Sequence, residues 1–205
     1  MIICIGDSNT YGFDPCGYFG GRYDEAWPEI LTGLTGYMTV NLGENGREIP
    51  HGLRSIETMD ALILKELPAD YFTILLGGND IANLPDHSPD TAAVRMEGFL
   101  RHLKERFPEV KQILITLPEV RVGNSEIEEA HRALNRKYRA LAAEMKVQLI
   151  DAESWDIPLA FDGVHYTEEG HRIFAEHMAA ALKALIYSDF QYDKILNFKS
   201  DEVSE

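Results

Sequence analysis

The chain has 205 residues, enough for one domain with a sizeable core, and its 45% hydrophobic and 26% charged content is that of an ordinary globular protein. Thirty-four acidic residues against 19 basic ones give a formal net charge of -15. That charge repels phosphate backbones and anionic lipid, so it argues against nucleic acid and membrane surfaces as partners and favours a small molecule.

Short apolar runs alternate with segments of helical period. The runs are MIICI (1–5), YMTVNL (37–42), YFTILL (71–76), KQILIT (111–116) and VQLI (147–150). Their length and β-branched content predict buried parallel strands. Helices are predicted near 25–35, 52–66, 90–107, 125–145 and 168–186. The last has Thr167 as its cap and an apolar stripe of Ile173, Phe174, Met178, Ala181, Leu182 and Leu185. Trp27-Pro28 reads as the start of the first helix, with Trp27 anchoring it to the sheet, and Ser125 with Glu128 reads as a capping box opening the fourth. Strand–helix alternation predicts an α/β protein with a five-stranded parallel sheet in flavodoxin-like order and helices on both faces. A single domain is expected over 1–186. The tail, 187–205, ends polar, and its Ile195, Leu196 and Phe198 are candidates for docking on the body or on another subunit.

The N-terminus carries no basic stretch, and its apolar run stops at Ile5. Neither a secretory leader nor a membrane span is therefore expected. Cys4 and Cys16, the only cysteines, form no C-x-x-C pair, so no disulfide or zinc framework is expected. These features point to the cytoplasm.

In open α/β sheets, ligands bind beyond the carboxyl ends of the strands. Four polar clusters fall there: Gly6-Asp7-Ser8-Asn9, Asn41-Leu42-Gly43-Glu44-Asn45-Gly46, Gly77-Gly78-Asn79-Asp80, and Asp162-Gly163-Val164-His165 before the last helix. As chemistry they make an acyl-transfer set. Ser8 is a hydroxyl on a sharp strand-to-helix turn and needs a base to take its proton. His165 is a base of a type that titrates near neutrality. Asp162, three residues earlier, can accept the Nδ1 proton of His165 and leave Nε2 to face Ser8. The backbone N–H groups of Ser8 and Gly46 and the side-chain amide of Asn79 suit an oxyanion hole.

These blocks, GDSNTYG, NLGENG, GGND and DGVH, stand in the order found in the SGNH hydrolases, or GDSL esterase/lipase family, which the chain resembles over nearly its whole length. GDSNT resembles the arylesterase-like subgroup; some other members carry Leu after the serine. The resemblance implies the three-layer flavodoxin-like fold and ester or thioester hydrolysis through an acyl-enzyme, with neither metal nor cofactor. It implies Ser8, Asp162 and His165 as catalytic residues and Ser8, Gly46 and Asn79 as oxyanion donors. It also favours small acyl groups such as acetyl on an aryl, alkyl or sugar alcohol. A thioesterase or lysophospholipase with a longer acyl pocket, and a non-catalytic ester- or glycan-binding module, stand as alternatives. The oligomeric state is left open. A mononucleotide site is not supported, since neither G-x-G-x-x-G nor a P-loop is present.

Other polar residues get plainer readings. Asp7 shapes the turn, and Asp80 is structural. Arg47 either meets substrate or makes a surface ion pair. His171 is solvated or capping, and His51, His87, His102, His131 and His177 carry no assigned role. The aromatics Tyr11, Phe13, Tyr18, Phe19, Tyr23 and Trp27 are candidates for one pocket wall, with core packing the plainer role of each. Trp155, Ile157, Pro158 and Leu159 are candidates for another.

Overall fold

The computed structural model describes residues 1–17 and 21–201, with side chains up to Leu185. The chain opens with β1 (Ile2–Gly6), the single turn α1 (Ser8–Tyr11), a two-residue hairpin of β2 (Phe13–Asp14) and β3 (Gly21–Arg22), and α2 (Trp27–Thr35). It continues through β4 (Thr39–Gly43), α3 (Leu53–Glu66), β5 (Tyr71–Leu75), the short α4 (Gly78–Asn83) and α5 (Pro89–Arg106). It ends with β6 (Lys111–Ile115), α6 (Ser125–Met145), β7 (Gln148–Ile150) and α7 (Glu168–Asp201).

The central sheet has five strands in the order β4-β1-β5-β6-β7, and every pairing is parallel. The expected flavodoxin-like order is therefore the observed one. A parallel pair needs a crossover, and right-handed crossovers fix which face each helix covers. The step from β1 to β4 runs opposite to the later steps, so α2 lies on one face and α3, α5 and α6 on the other. The packing agrees: α2 packs on α7, while α4, α5 and α6 pack on one another. With both faces covered, strand residues are buried on both sides; Ile2, Ile3, Cys4 and Ile5 are all inaccessible to solvent.

Register brings the strand ends level. Gly6 of β1 pairs with Gly43 of β4 and with Leu75 of β5. The loops that follow these three strands therefore leave from one rim. Gly43 is required there by close approach: a β-carbon on it would stand 2.1 Å from the Tyr11 amide nitrogen of α1.

Two element boundaries differ from expectation. Asn124, not Ser125, caps α6. Its side-chain oxygen accepts from the amides of Glu126 at 3.0 Å and Ile127 at 3.4 Å, and Glu128 reaches back to the Gly123 amide instead of to Ser125. Trp27 is fully buried at the start of α2, and its ring also packs on Phe174 of α7 at 5.2 Å. The last helix runs past 186 to Asp201, since no Gly or Pro follows Gly170 to stop it. The side chains beyond Leu185 lie outside the described residues, and with them the docking considered for Ile195, Leu196 and Phe198. Thr167 caps α7 as expected, accepting from the Gly170 amide at 3.0 Å, and Phe174, Met178 and Leu182 are buried. Each such side chain contributes roughly 1.5–3 kcal/mol by leaving water. Among the described residues, no helix is long and apolar enough to cross a membrane.

Candidate active site

The strand β1 hands over directly to Asp7, which caps α1: its carboxylate accepts from the Asn9 amide at 3.0 Å and its carbonyl from the Thr10 and Tyr11 amides. Those three amides are spent, and Ser8 stands first in the turn with its own amide ahead of it. Asp7 is buried, and burial pushes its carboxyl up to about 6 against the pull of the Asn9 amide and the charges of His165 and Arg47.

The loop between β7 and α7 brings the imidazole from the far end of the chain. Asp162 folds it: one carboxylate oxygen accepts from the Val164 and His165 amides, each at 3.0 Å. The other lies 2.7 Å from His165 Nδ1, and His165 Nε2 lies 3.0 Å from Ser8 Oγ. The three expected residues are thus in one hydrogen-bonded line. Burial raises the Asp162 carboxyl, but the hydrogen bonds from His165 and the two amides outweigh it and hold the group below the usual carboxylate range. An ionised carboxylate on Nδ1 fixes the tautomer whose Nε2 lone pair faces the hydroxyl. The Phe13 ring packs against the imidazole with centroids 4.7 Å apart.

One tie was missed in the sequence. The Asn9 side chain donates to the Val164 carbonyl at 3.1 Å and accepts from the Tyr166 amide at 3.0 Å. It grips the His165 loop on both sides of the histidine and fixes it to the serine turn. An amide has one donor end and one acceptor end, which this grip needs, and a turn-shaping role alone does not use both.

Asn79 sits in the first turn of α4, after Gly77, whose φ of +123° belongs to glycine and whose missing side chain admits the Tyr138 hydroxyl. Its Nδ2 donates to the Arg47 carbonyl at 3.0 Å, which orients the amide and leaves one N–H free to turn elsewhere. Ser8, Asn79 and His165 all line one cavity of about 180 Å³. Gly46 does not line it. Gly46 borders the adjoining groove, one residue before the carbonyl that Asn79 holds.

The cavity's walls are not the ones expected. They come from Leu75, Ala82, Leu117, Val120, Val122 and Ile127, along the β5, β6 and α6 side, with His131 of α6 among them. Trp155 instead stacks on His177 at 4.8 Å and packs against Phe174, below α7. Tyr23 packs on His171, and Tyr11 carries the Arg22 guanidinium over its ring. Tyr18 and Phe19 lie outside the described residues. The strand-end rule also covers β6, so Leu117–Val122 was findable by applying it to the fourth strand of the sheet.

Asp80, Arg47 and His171 find partners within the chain. Asp80 accepts from the Ile49 amide at 2.9 Å and from Arg95 at 2.7 Å, a structural role as read. Glu48, His51 and Asp80 lie close enough to suggest a metal site, but Arg95 bridges the two carboxylates and the His51 Nδ1 meets the Ile49 carbonyl. Arg47 turns inward, donating to the carbonyls of Gly6 and Leu42 and pairing with Glu44, so it ties strand ends and does not lie on the surface. His171 is buried, not solvated; its Nδ1 accepts from the first amide of α2, at 3.4 Å from Trp27 N.

Comparison with known proteins agrees with this picture. The native aryl esterase of M. smegmatis superposes with a TM-score of 0.74 at 24% identity, covering 90% of this chain and 98% of that one. Est24, a carbohydrate acetylesterase from Sinorhizobium meliloti, gives 0.78 at 23% identity over 90% and 98%. Likeness at that level establishes a shared fold. A curated relative, the "Uncharacterized esterase YxiM" of Bacillus subtilis (strain 168), is 32% identical over 158 residues, 73% of this chain. The match spans 39% of that relative's length. The model of the GDSL-like lipase/acylhydrolase family matches residues 4–173, from the buried start of β1 to the apolar face of α7 and across all four polar strand ends, and the chain belongs to that family.

Proposed function

We propose that the chain is a serine esterase that hydrolyses carboxylic esters of short acyl groups through an acyl-enzyme. One observation carries the reading: His165 stands between Ser8 Oγ at 3.0 Å and Asp162 at 2.7 Å, with a different ring nitrogen facing each. Ser8 Oγ attacks the ester carbonyl carbon and passes its proton to Nε2 of His165. Asp162 stabilises the imidazolium that results. The oxyanion is met by the Ser8 and Gly46 amides and the Asn79 side chain. As the carbon–oxygen bond to the alcohol breaks, His165 returns the proton to the departing oxygen. Water then repeats the sequence on the acyl-serine and releases the acid.

The cavity supports a short acyl group. A space of about 180 Å³ walled by aliphatic side chains favours acetyl and similarly small acyl groups over long lipid chains. The reading places the enzyme in the cytoplasm, which suits two cysteines that are both free.

The test is a panel of p-nitrophenyl esters of rising chain length, run beside a serine-reactive phosphonate with mass spectrometry of the product. Label should land on Ser8, and Ser8→Ala should lower kcat by about 10⁴-fold or more. A Ser8→Ala enzyme working near the wild-type rate overturns the mechanism.

A further inference from the structure

We propose that the acyl cavity takes short acyl groups carrying an ammonium, such as small aminoacyl groups, whose charge is met by the carboxylate of Asp7. The inference rests on the esterase reading above and narrows its substrate class.

Asp7 is held at 8% exposure between β1 and the serine turn. Its two oxygens differ. Oδ1 accepts from the Asn9 amide at 3.0 Å and caps α1. Oδ2 accepts no hydrogen bond among the described residues, yet it does not belong to the side-chain atoms sealed inside the protein. The space it opens onto is the cavity, which Asp7 lines together with Gly78. Gly78 has no side chain to cover that oxygen: a β-carbon there would stand 3.8 Å from Oδ2 and 3.6 Å from His131 Cε1.

Among the described residues, no cation forms an ion pair with Asp7. The nearby Arg47 guanidinium is turned to the Gly6 and Leu42 carbonyls and to Glu44. No described lysine or arginine lines the cavity, whereas a second carboxylate, that of Glu119, does. His131 adds no charge, since burial pushes its imidazole down to about 4. The rest of the wall is mainly aliphatic, and a charge pair in such surroundings is stronger than in water. An ionised carboxylate there loses solvation with one amide hydrogen bond to offset the loss, which is why burial raises the Asp7 carboxyl to about 6. A bound ammonium supplies both what Oδ2 lacks, a donor, and what the cavity lacks, a positive charge. A plain alkyl group leaves the carboxylate unpaired, and an acyl group with a carboxylate of its own is repelled. The ammonium keeps its proton throughout, and Ser8, His165 and Asp162 act as described above. A site built to pair with a charged group in this way rejects the analogue lacking it.

The experiment compares ethyl glycinate with ethyl propanoate, and ethyl 3-aminopropanoate with ethyl butanoate, each rate divided by that ester's hydroxide-catalysed rate. In the wild type at least one ammonium ester should be preferred by about tenfold in kcat/KM. Ethyl glycolate, whose hydroxyl can donate to Oδ2 but carries no charge, should gain clearly less than glycinate. In Asp7→Asn the amide oxygen can still cap α1, and the ammonium preference should fall to within about twofold, whatever happens to the absolute rates. Gly78→Ala places a methyl in ordinary contact with Oδ2 and should narrow the preference as well. A wild type without preference overturns the proposal, as does a preference that survives Asp7→Asn, or glycolate favoured as strongly as glycinate. If the asparagine variant does not fold, Gly78→Ala decides: an unchanged ratio there overturns it. Failure of the esterase reading looks different, with no ester turned over and no phosphonate on Ser8.

Discussion

The two faces of the cavity present different chemistry to it. On the face built from β1 and the loop before α7, side-chain partners are supplied from within the chain: Asp7 to Asn9, Asn9 to Val164 and Tyr166, Asp162 to Val164 and His165, His165 to Ser8. On the face built from β6 and α6, the walls are mainly aliphatic, and the polar side chains behind them bond to the backbone, Asn135 to the amide and carbonyl of Leu117 and Tyr138 to the Leu76 carbonyl. The first face is finished by the protein and holds its geometry without substrate. The second offers an acyl group mainly apolar surface. The reacting groups and the aliphatic wall thus lie on different parts of the sheet rim.

Substitutions among the reacting groups should disturb rate far more than substrate preference. Asp162→Asn has the largest expected effect. An amide can donate to Nδ1 and so stabilise the wrong tautomer, and it no longer balances the imidazolium. A fall in kcat of about 10⁴-fold is expected, with KM changed little, measured by steady-state hydrolysis. Asn79→Ala comes next, at about 10²–10³-fold in kcat, since the proposed mechanism then loses one oxyanion donor. Equal losses in kcat and in substrate binding for Asn79→Ala would mean that the amide holds the ground state and not the oxyanion.

The finished face was also the legible one. Ser8 and Asn79 stand in short blocks just beyond strand ends that matched register brings level, and Asp162 and His165 stand in a short block in the loop between β7 and α7. The other face left only a faint mark. Leu117 to Val122 reads as an ordinary apolar loop, because lining a cavity and filling a core need the same side chains. His131 did carry a signal. Ile127, His131, Leu134 and Tyr138 follow the i, i+4, i+7, i+11 spacing of one helix face, and Leu134 and Tyr138 are fully buried. A histidine within a buried stripe points inward, which counting scattered histidines does not reveal. Asn124 was lost to a rival signal one residue on, where Ser125 and Glu128 also match a capping pattern.

Acid should separate the groups by sign. His131 and His171 are each pushed down to about 4 by burial, from 6.5 when exposed. The unfolded chain therefore takes up protons that the folded chain refuses. Their contribution is complete above pH 6.5 and is lost as pH falls to about 4, at about 3 kcal/mol each. Asp7 works the other way. Its carboxyl is raised from 3.8 to about 6, so stability is present below 3.8 and lost as pH rises through 6, again about 3 kcal/mol. Acidification thus regains at Asp7 about what one histidine loses. Urea unfolding of Asp7→Asn from pH 7 to 4 should show a stability loss about 3 kcal/mol larger than in the wild type. An identical loss in both would place Asp7 in contact with water.

The smallest expected effect probes the seam between the serine turn and the histidine loop. Leucine matches asparagine roughly in size but can neither donate to the Val164 carbonyl nor accept from the Tyr166 amide. Asn9→Leu should therefore loosen His165 without removing it. A fall in kcat of about tenfold is expected, with KM nearly unchanged and phosphonate labelling of Ser8 slowed in parallel. Asn9→Asp keeps the acceptor and loses the donor, so it should fall between leucine and wild type. The effect is bounded because Asp162 holds the same loop through the Val164 and His165 amides. If Asn9→Leu labels and turns over at the wild-type rate, those two hydrogen bonds are sufficient to set the histidine, and the serine turn and the loop are independent pieces that merely meet at His165.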